Sequence, residues 1–164
     1  MAISRDKKRE ILAKLNDAFK EASAIAFVSF SKLTVKDASR LRNELRAEGV
    51  RYFVAKKTLI TKALLARGYT GKLPALPGEI AVAWTTGDEV TAPARGVHAF
   101  GKKVKEVLSL VGGVFEGAFL NAERMVAIAT IPPMQVLRGM FANIINSPRQ
   151  RFAIALGEVA KLKN

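Results

Sequence analysis

Two lysines interrupt an otherwise apolar passage in VRYFVAKKTLITKALL, residues 50–65. Lys56 and Lys57 fall where a strand-forming run gives way to helical spacing, so they stand at a helix start. That end of a helix carries roughly half a positive elementary charge and favours anions. Each exposed lysine there costs on the order of 0.3–1 kcal/mol. A local preference broken without internal compensation marks a functional position, and the ligand that would compensate is an anion. More cations surround the pair. Arg5, Lys7, Lys8 and Arg9 lead the first helix, and Lys32 follows the first strand. Lys36, Arg40, Arg42 and Arg46 lie on the next helix, and Lys62 follows Lys57. Free backbone N–H groups near Thr58 would add phosphate contacts. The candidate phosphate-contacting set is Lys7, Lys8, Lys32, Lys36, Lys56, Lys57, Thr58 and Lys62. Lysines that neutralise phosphates release counterions, so such binding would depend strongly on salt.

Composition points the same way. The chain has 164 residues, 49% of them apolar, which supports a real core. Its formal net charge of +13 favours a nucleic-acid or anionic-surface partner. Residues 1–72 hold 17 Lys and Arg against 7 Asp and Glu, whereas residues 73–164 hold 10 against 7. The first half is therefore the electrostatic footprint, and the second half needs another explanation. With no cysteine, disulfides, thiolate zinc sites and cysteine nucleophiles are excluded, and a reducing cytoplasm fits. The charged start MAISRDKKRE lacks the apolar run of a signal peptide. No run approaches the roughly 18 apolar residues of a membrane span, so no transmembrane helix is expected, and no membrane is assigned as a partner.

The usual catalytic constellations are missing. His98 is the one histidine, so no His pair for a metal exists, and a structural or surface role is expected for it. Gly71-Lys72 is followed by Leu73 and lacks the rest of a phosphate-binding loop. VGGVFEG lies within a strand pattern and does not open a helix as a dinucleotide fingerprint must. Asp88, Glu89 and Glu116 are expected to be solvated acids without partners, and Trp84 to pack in the core. Neither an enzyme nor a cofactor or metal site is expected.

The elements that must position these residues alternate. Residues 4–22 read as an amphipathic helix capped by Ser4. SAIAFVSF (23–30) is a buried strand; Thr34 and Asp37 open a helix that runs to about Glu48 and stops at Gly49. VRYFVA (50–55) is a second strand, and a helix over 57–67 ends at Gly68. After a Gly- and Pro-rich loop, EIAVAW (79–84) is a third strand. A helix capped by Asp88 runs to Lys103, with Pro93 near its start. Residues 105–117 form a fourth strand, Gly112-Gly113 marking a bulge or close approach, and Asn121 caps a short helix. This alternation predicts an α/β (α+β) fold, a single sheet with helices packed on it. Pro132-Pro133 then breaks the chain, giving a globular domain over 1–131 and a helix over 132–164. That helix is interrupted at Asn146-Ser147-Pro148, where a kinked restart is expected. Leu137, Phe141, Ile144 or Ile145, Phe152, Leu156 and Val159 form an apolar stripe through it. A straight helix of this length would span roughly 44 Å, longer than the domain is wide, so part of the stripe needs a partner.

The run GVRYFVAKKTLITKAL resembles the strand-turn-helix signature of the bacterial ribosomal protein L-ten family, the base protein of the large-subunit stalk. The family pattern V-x-K-N-T-L is met by Val54, Lys56, Thr58 and Leu59, with Ala63 beyond; Lys57 replaces the usual Asn. LRNELRAEGV and GGVFEGAFLNAERMVAIATIPP are also similar to family segments, while LPGEIAVAW departs from the usual Gly-Pro order. The resemblance implies a ferredoxin-like domain, a small mixed sheet with helices, that binds large-subunit ribosomal RNA beside ribosomal protein L-eleven. It implies a long C-terminal helix that carries stalk L-seven/L-twelve dimers, which recruit translational GTPases. Carried onto this chain, the stalk-binding residues are Leu137, Met140, Phe141, Ile144, Ile145, Phe152, Leu156 and Val159. A free-standing RNA chaperone or regulator with a self-associating tail helix is the alternative from another class. A phosphate-ester enzyme using the basic face as a clamp ranks last, for want of a metal cluster or general base.

Overall fold

The computed structural model describes residues 5–71, 73–87, 89–104 and 107–162. Ser4 and Asp88, the expected caps, lie outside the described residues, as do Lys72, Lys105 and Glu106. In chain order the elements are α1 (Arg5–Glu21), β1 (Ala24–Phe30), α2 (Val35–Ala47), β2 (Val50–Val54), α3 (Lys57–Leu65) and β3 (Glu79–Thr85). They continue with α4 (Ala92–Lys103), β4 (Leu108–Phe115), β5 (Ala118–Asn121), α5 (Ala122–Ala129) and α6 (Met134–Leu162). The chain divides into two compact units, Met1–Ile131 and Pro132–Asn164.

The first unit is built on one sheet, in the order β2-β3-β1-β4-β5. All its neighbouring strands are antiparallel. Because β1 and β2 both oppose β3, they run parallel to each other with β3 between them. By the same logic β3 and β4 run parallel with β1 between. Two split βαβ units interlock in this way, the ferredoxin-like arrangement. The expected mixture of strand directions is thus present only between alternate strands.

Side-chain alternation along the central strand divides the core in two. Ala26 and Val28 of β1 face a cluster with Leu41 and Leu45 of α2, Val97 and Phe100 of α4, and Met125 of α5. Ile25 and Phe27 face the other cluster, with Leu15 and Phe19 of α1 and Leu59, Ile60 and Leu64 of α3. Trp84 is 7% exposed and belongs to this second cluster, as its strand position predicts. Helices α1 and α3 therefore share one face of the sheet, and the equally basic α2 lies on the other.

Local chemistry sets the boundaries. Thr34 Oγ1 accepts from the Asp37 N–H at 3.2 Å, the cap expected of that pair. Gly49 follows α2 with φ +72°, a conformation glycine adopts without cost. Pro93 sits in the first turn of α4, which needs no N–H there. Asn121 is the N-cap of α5 but its side chain makes no capping bond.

The fourth strand does not run unbroken to residue 117 as its apolar pattern predicts. β4 ends at Phe115, and a two-residue turn returns the chain as β5, pairing Phe115 with Ala118. Glu116 and Gly117 both have positive φ, 51° and 78°, the requirement of the tight hairpin turn that matches strand twist. Glu in place of the customary Asn or Asp hides this turn in the sequence. The expected irregularity at Gly112-Gly113 is present. The β1–β4 register shifts between Phe27 and Val28, opposite Gly112 and Leu110. A Cβ on Gly113 would collide with the Ile25 carbonyl oxygen and lie 2.5 Å from Met125 Cε.

The second unit contains α6, whose 29 residues span roughly 44 Å. The expected interruption at Asn146-Ser147-Pro148 is absent, because α-helix continues through Pro148. Pro148 lacks the N–H that would reach back one turn. A single missing bond does not undo a helix that continues for more than a dozen residues on each side.

Candidate functional site

The site is built around the start of α3. Lys56 is its N-cap, with extended backbone (φ −64°, ψ 131°) and no side-chain capping bond. No acid lies in the first turn. The Lys56 carbonyl accepts from Leu59 N–H at 2.9 Å and Ile60 N–H at 3.2 Å. The N–H groups of Lys57 and Thr58 precede these bonds and remain for solvent or a ligand. Burial of Leu59, Ile60, Ala63 and Leu64 fixes the rotation of the helix. Thr58 and Lys62 are consequently exposed.

Helix α1 completes the site. Leu15, Ala18 and Phe19 are its buried positions. Arg67 Nη2 donates to the Phe19 carbonyl at 2.8 Å and Tyr69 Oη donates to it at 3.3 Å, tying the end of α1 to the chain beyond α3. Lys8, in the first turns of α1, then joins Lys56, Thr58, Leu59 and Lys62 in lining a cleft of about 350 Å³. The start of α3 opens there beside the first turns of α1, so the positive end of α3 reinforces three ammonium groups, while Asp6 offsets the end of α1. Among the described residues no ion pair within 4 Å involves Lys8, Lys56, Lys57 or Lys62. Four of the eight residues singled out in the sequence, Lys8, Lys56, Thr58 and Lys62, are thus brought together.

Lys57 faces a neighbouring cleft of about 410 Å³, which shares Lys56 and Leu59 with the first. Its Nζ donates to the Leu76 carbonyl at 3.4 Å. Lys7, Lys32 and Lys36 are exposed and line neither cleft. Lys32 has a positive φ of 56°, in the turn between β1 and α2.

Sequence reasoning missed Glu79, and it named Arg42 and Arg46 only as cations of the second helix without their neighbours Arg51 and Tyr52. Glu79, the first residue of β3, lines the 410 Å³ cleft beside Lys56 and Lys57. Its only sequence signal is an acid at the mouth of an apolar strand. Arg42, Arg46, Arg51 and Tyr52 line another cleft of about 330 Å³ at the sheet-edge strand β2. Arg42 and Arg46 are one helical turn apart, but nothing in the sequence brings β2 beside them. The Tyr52 hydroxyl is buried without a hydrogen-bond partner. Desolvation pushes this phenol up to about 12, with Arg42 pulling in the other direction.

Among the described residues no catalytic arrangement emerges elsewhere. His98 lines an open cleft of about 680 Å³ with Lys102, Ser109 and apolar residues, but among the described residues no side-chain hydrogen bond joins it to Ser109 or to a carboxylate that would orient it as a base. Glu89 is not unpartnered as expected. Arg95, brought round by the first turns of α4, donates to it at 2.8 Å and lies 3.7 Å from Glu48. Among the described residues no three acidic or histidine side chains cluster as a metal site requires, and no single helix is long and apolar enough to cross a membrane.

The stalk-binding positions expected from the resemblance all lie on α6. At about 100° per residue, Leu137, Met140, Phe141, Ile144, Ile145, Phe152, Leu156 and Val159 fall within an arc of roughly 160°. Among the described residues α6 has no companion element in its own unit to cover them. Met134, Val136 and Ile154 are further apolar residues of α6 that the sequence reading does not single out.

These features define a basic ferredoxin-like scaffold with a separate amphipathic helix, organised for surfaces more than for catalysis. A family model for ribosomal protein L10 matches residues 3–102. The chain is 33% identical over 158 residues to the large ribosomal subunit protein uL10 of Shouchella clausii, covering 96% of this chain and 94% of that protein. It is 31% identical to uL10 of Staphylococcus carnosus (95% and 93% covered) and 35% identical to that of Pelotomaculum thermopropionicum (95% and 87%). The chain belongs to the ribosomal protein L10 family, and its role is a structural, non-enzymatic one in the large ribosomal subunit.

Proposed function

We propose that this protein docks on large-subunit ribosomal RNA through the α1–α3 face and anchors stalk L-seven/L-twelve dimers on α6. The observation that carries the RNA reading is the convergence of Lys8, Lys56, Thr58 and Lys62 in one cleft at two helix starts. A phosphate in that cleft meets unpaired ammonium groups and free backbone N–H donors, and it relieves the charge conflict at the start of α3. Lys7 and Lys57 extend the contact on that face, while Lys32 and Lys36, in the β1–α2 turn and the first turn of α2, meet RNA only where it passes round the sheet toward the opposite face. Ribosomal protein L-eleven is the expected neighbour on the subunit, and the cytoplasmic ribosome the place of action.

For the second role the support is the stripe on α6. Groove recognition of a helix uses anchors three and four residues apart, the spacing of Leu137, Met140, Phe141, Ile144 and Ile145. Phe152, Leu156 and Val159 repeat it beyond Pro148. Residues 1–131 then form the RNA-binding domain and residues 132–164 the stalk-binding helix, a division of labour between charge and apolar surface.

The test is purification of the tagged chain from its own cells at low salt, with and without nuclease. Co-purifying small acidic dimers that survive nuclease, together with large-subunit RNA that does not, are the expected result. A homodimer held through residues 134–162, with no acidic partner, would replace the stalk reading by the self-associating one.

A further inference from the structure

We infer that the cleft beside the lysines receives an unstacked guanine, held flat on its apolar walls and read by Glu79. This rests on the RNA-binding reading and adds to it a specificity-determining residue. The cleft of about 410 Å³ lies within the range of about 300–1,000 Å³ of small-ligand sites. Phe30 and Val54, at the ends of β1 and β2, supply apolar wall, and Lys56 and Lys57 stand at its rim. The loop opposite is pinned by Lys57 on the Leu76 carbonyl at 3.4 Å and by Ser29 Oγ on the Pro77 carbonyl at 3.3 Å.

Two features of the cleft add nothing to phosphate binding. Val54, 43% exposed, presents an apolar face beside the lysines. Glu79 is the one carboxylate lining the cleft, has no ion-pair partner within 4 Å among the described residues, and repels phosphate. A base resolves both. Single-stranded RNA presents unstacked bases whose faces are apolar and whose Watson–Crick edges are free. A carboxylate only accepts hydrogen bonds. Guanine presents two adjacent N–H donors, N1–H and the N2 amino group, and so matches its two oxygens. The nucleotide's own phosphate then reaches Lys56 and Lys57, which the two clefts share or border.

The sign of one substitution separates this from a solvated acid. Glu79→Gln removes a negative charge next to a polyanion, so without a base contact it should tighten RNA binding. With the guanine contact it should weaken binding to large-subunit ribosomal RNA roughly 10- to 100-fold, the range for a good paired base contact. Val54→Trp, which fills the cleft from an exposed strand end, should weaken it at least comparably. Neither should change the slope of log K against log salt, because every lysine–phosphate pair is kept. Filter binding across a salt series gives both quantities, and a thermal melt checks that each variant folds. Kethoxal, which attacks guanine at N1 and N2, should find one guanine protected by the native chain and unprotected with Glu79→Gln. If both variants bind as tightly as the native chain or more tightly, or if the slope falls, the base pocket is wrong. Lys56→Glu with Lys57→Glu is the control for the underlying reading: unchanged affinity there would overturn RNA binding itself.

Discussion

Reversing two charges, Lys56→Glu with Lys57→Glu, should move stability and RNA affinity in opposite directions. The two lysines occupy the N-cap and first position of α3 with no acid in the first turn. A charge at an exposed helix start is worth about 0.3–1 kcal/mol, unfavourable for Lys and favourable for Glu. Reversal at both positions should therefore raise stability by roughly 1–2 kcal/mol, allowing for solvent screening. The hydrogen bond that the change removes, from Lys57 to the Leu76 carbonyl, is 3.4 Å long and exposed, so it offsets little of this gain. For a chain of this size the melting temperature should rise by about 2–8 °C. RNA binding should fall. Each lysine–phosphate pair adds roughly 0.7–0.9 to the slope of log K against log salt. Removing two such pairs then costs roughly 25- to 60-fold at about 0.1 M salt, before any repulsion by the new carboxylates. Filter binding over a salt range of about 0.05 to 0.3 M and a calorimetric melt measure both effects. A variant more stable than the native chain that still binds RNA with the same affinity and slope would refute the reasoning, because the lysines would then serve no anion.

Further outcomes follow from other parts of the molecule. Removal of residues 134–164 should abolish capture of L-seven/L-twelve dimers while leaving RNA affinity within about twofold, since the cleft lysines lie in the first unit; retained dimers would place their site elsewhere. Gly113→Ala should destabilise the domain by about 1–3 kcal/mol, because its Cβ meets the Ile25 carbonyl and Met125 on a central strand pair; the denaturant midpoint should fall with an unchanged slope. Tyr52 sets a pH dependence. Its folded phenol is raised to about 12, so it adds stability that is intact below pH 10 and is lost as pH rises through 12. Allowing for its partial exposure, the shift is worth on the order of 1–2 kcal/mol. Tyr52→Phe should remove that alkaline loss, and absorbance titration of a Tyr69→Phe chain should follow the phenol directly.

How much of this is legible in the sequence depends on range. Helix α2 can be read because its cap, Thr34 and Asp37, and its stop, Gly49, lie within fifteen residues of one another and act through local backbone chemistry. The same holds for α3, whose misplaced lysines are visible against an apolar pattern that needs no distant partner. The β4–β5 hairpin escapes because Glu116 takes a positive φ that its side chain does not advertise, and only the pairing of β5 with β4 holds it there. The break expected at Pro148 reflects a real local penalty, but one too small to end a helix of 29 residues.

The amino-acid order by itself determined the charge asymmetry, the alternation of strands and helices, and the apolar stripe of α6, since each is a periodicity or a sum along the chain. Only the tertiary structure decided which cations meet. Strand order puts α1 and α3 on one face of the sheet and carries Lys8 to Lys56 and Lys62, about fifty residues away, while leaving Lys7 outside the cleft. It also set Glu79 beside Lys57 and paired Glu89 with Arg95. Such encounters depend on the order in which strands pair and on which face each helix covers, and these are settled by burying both sides of the sheet at once.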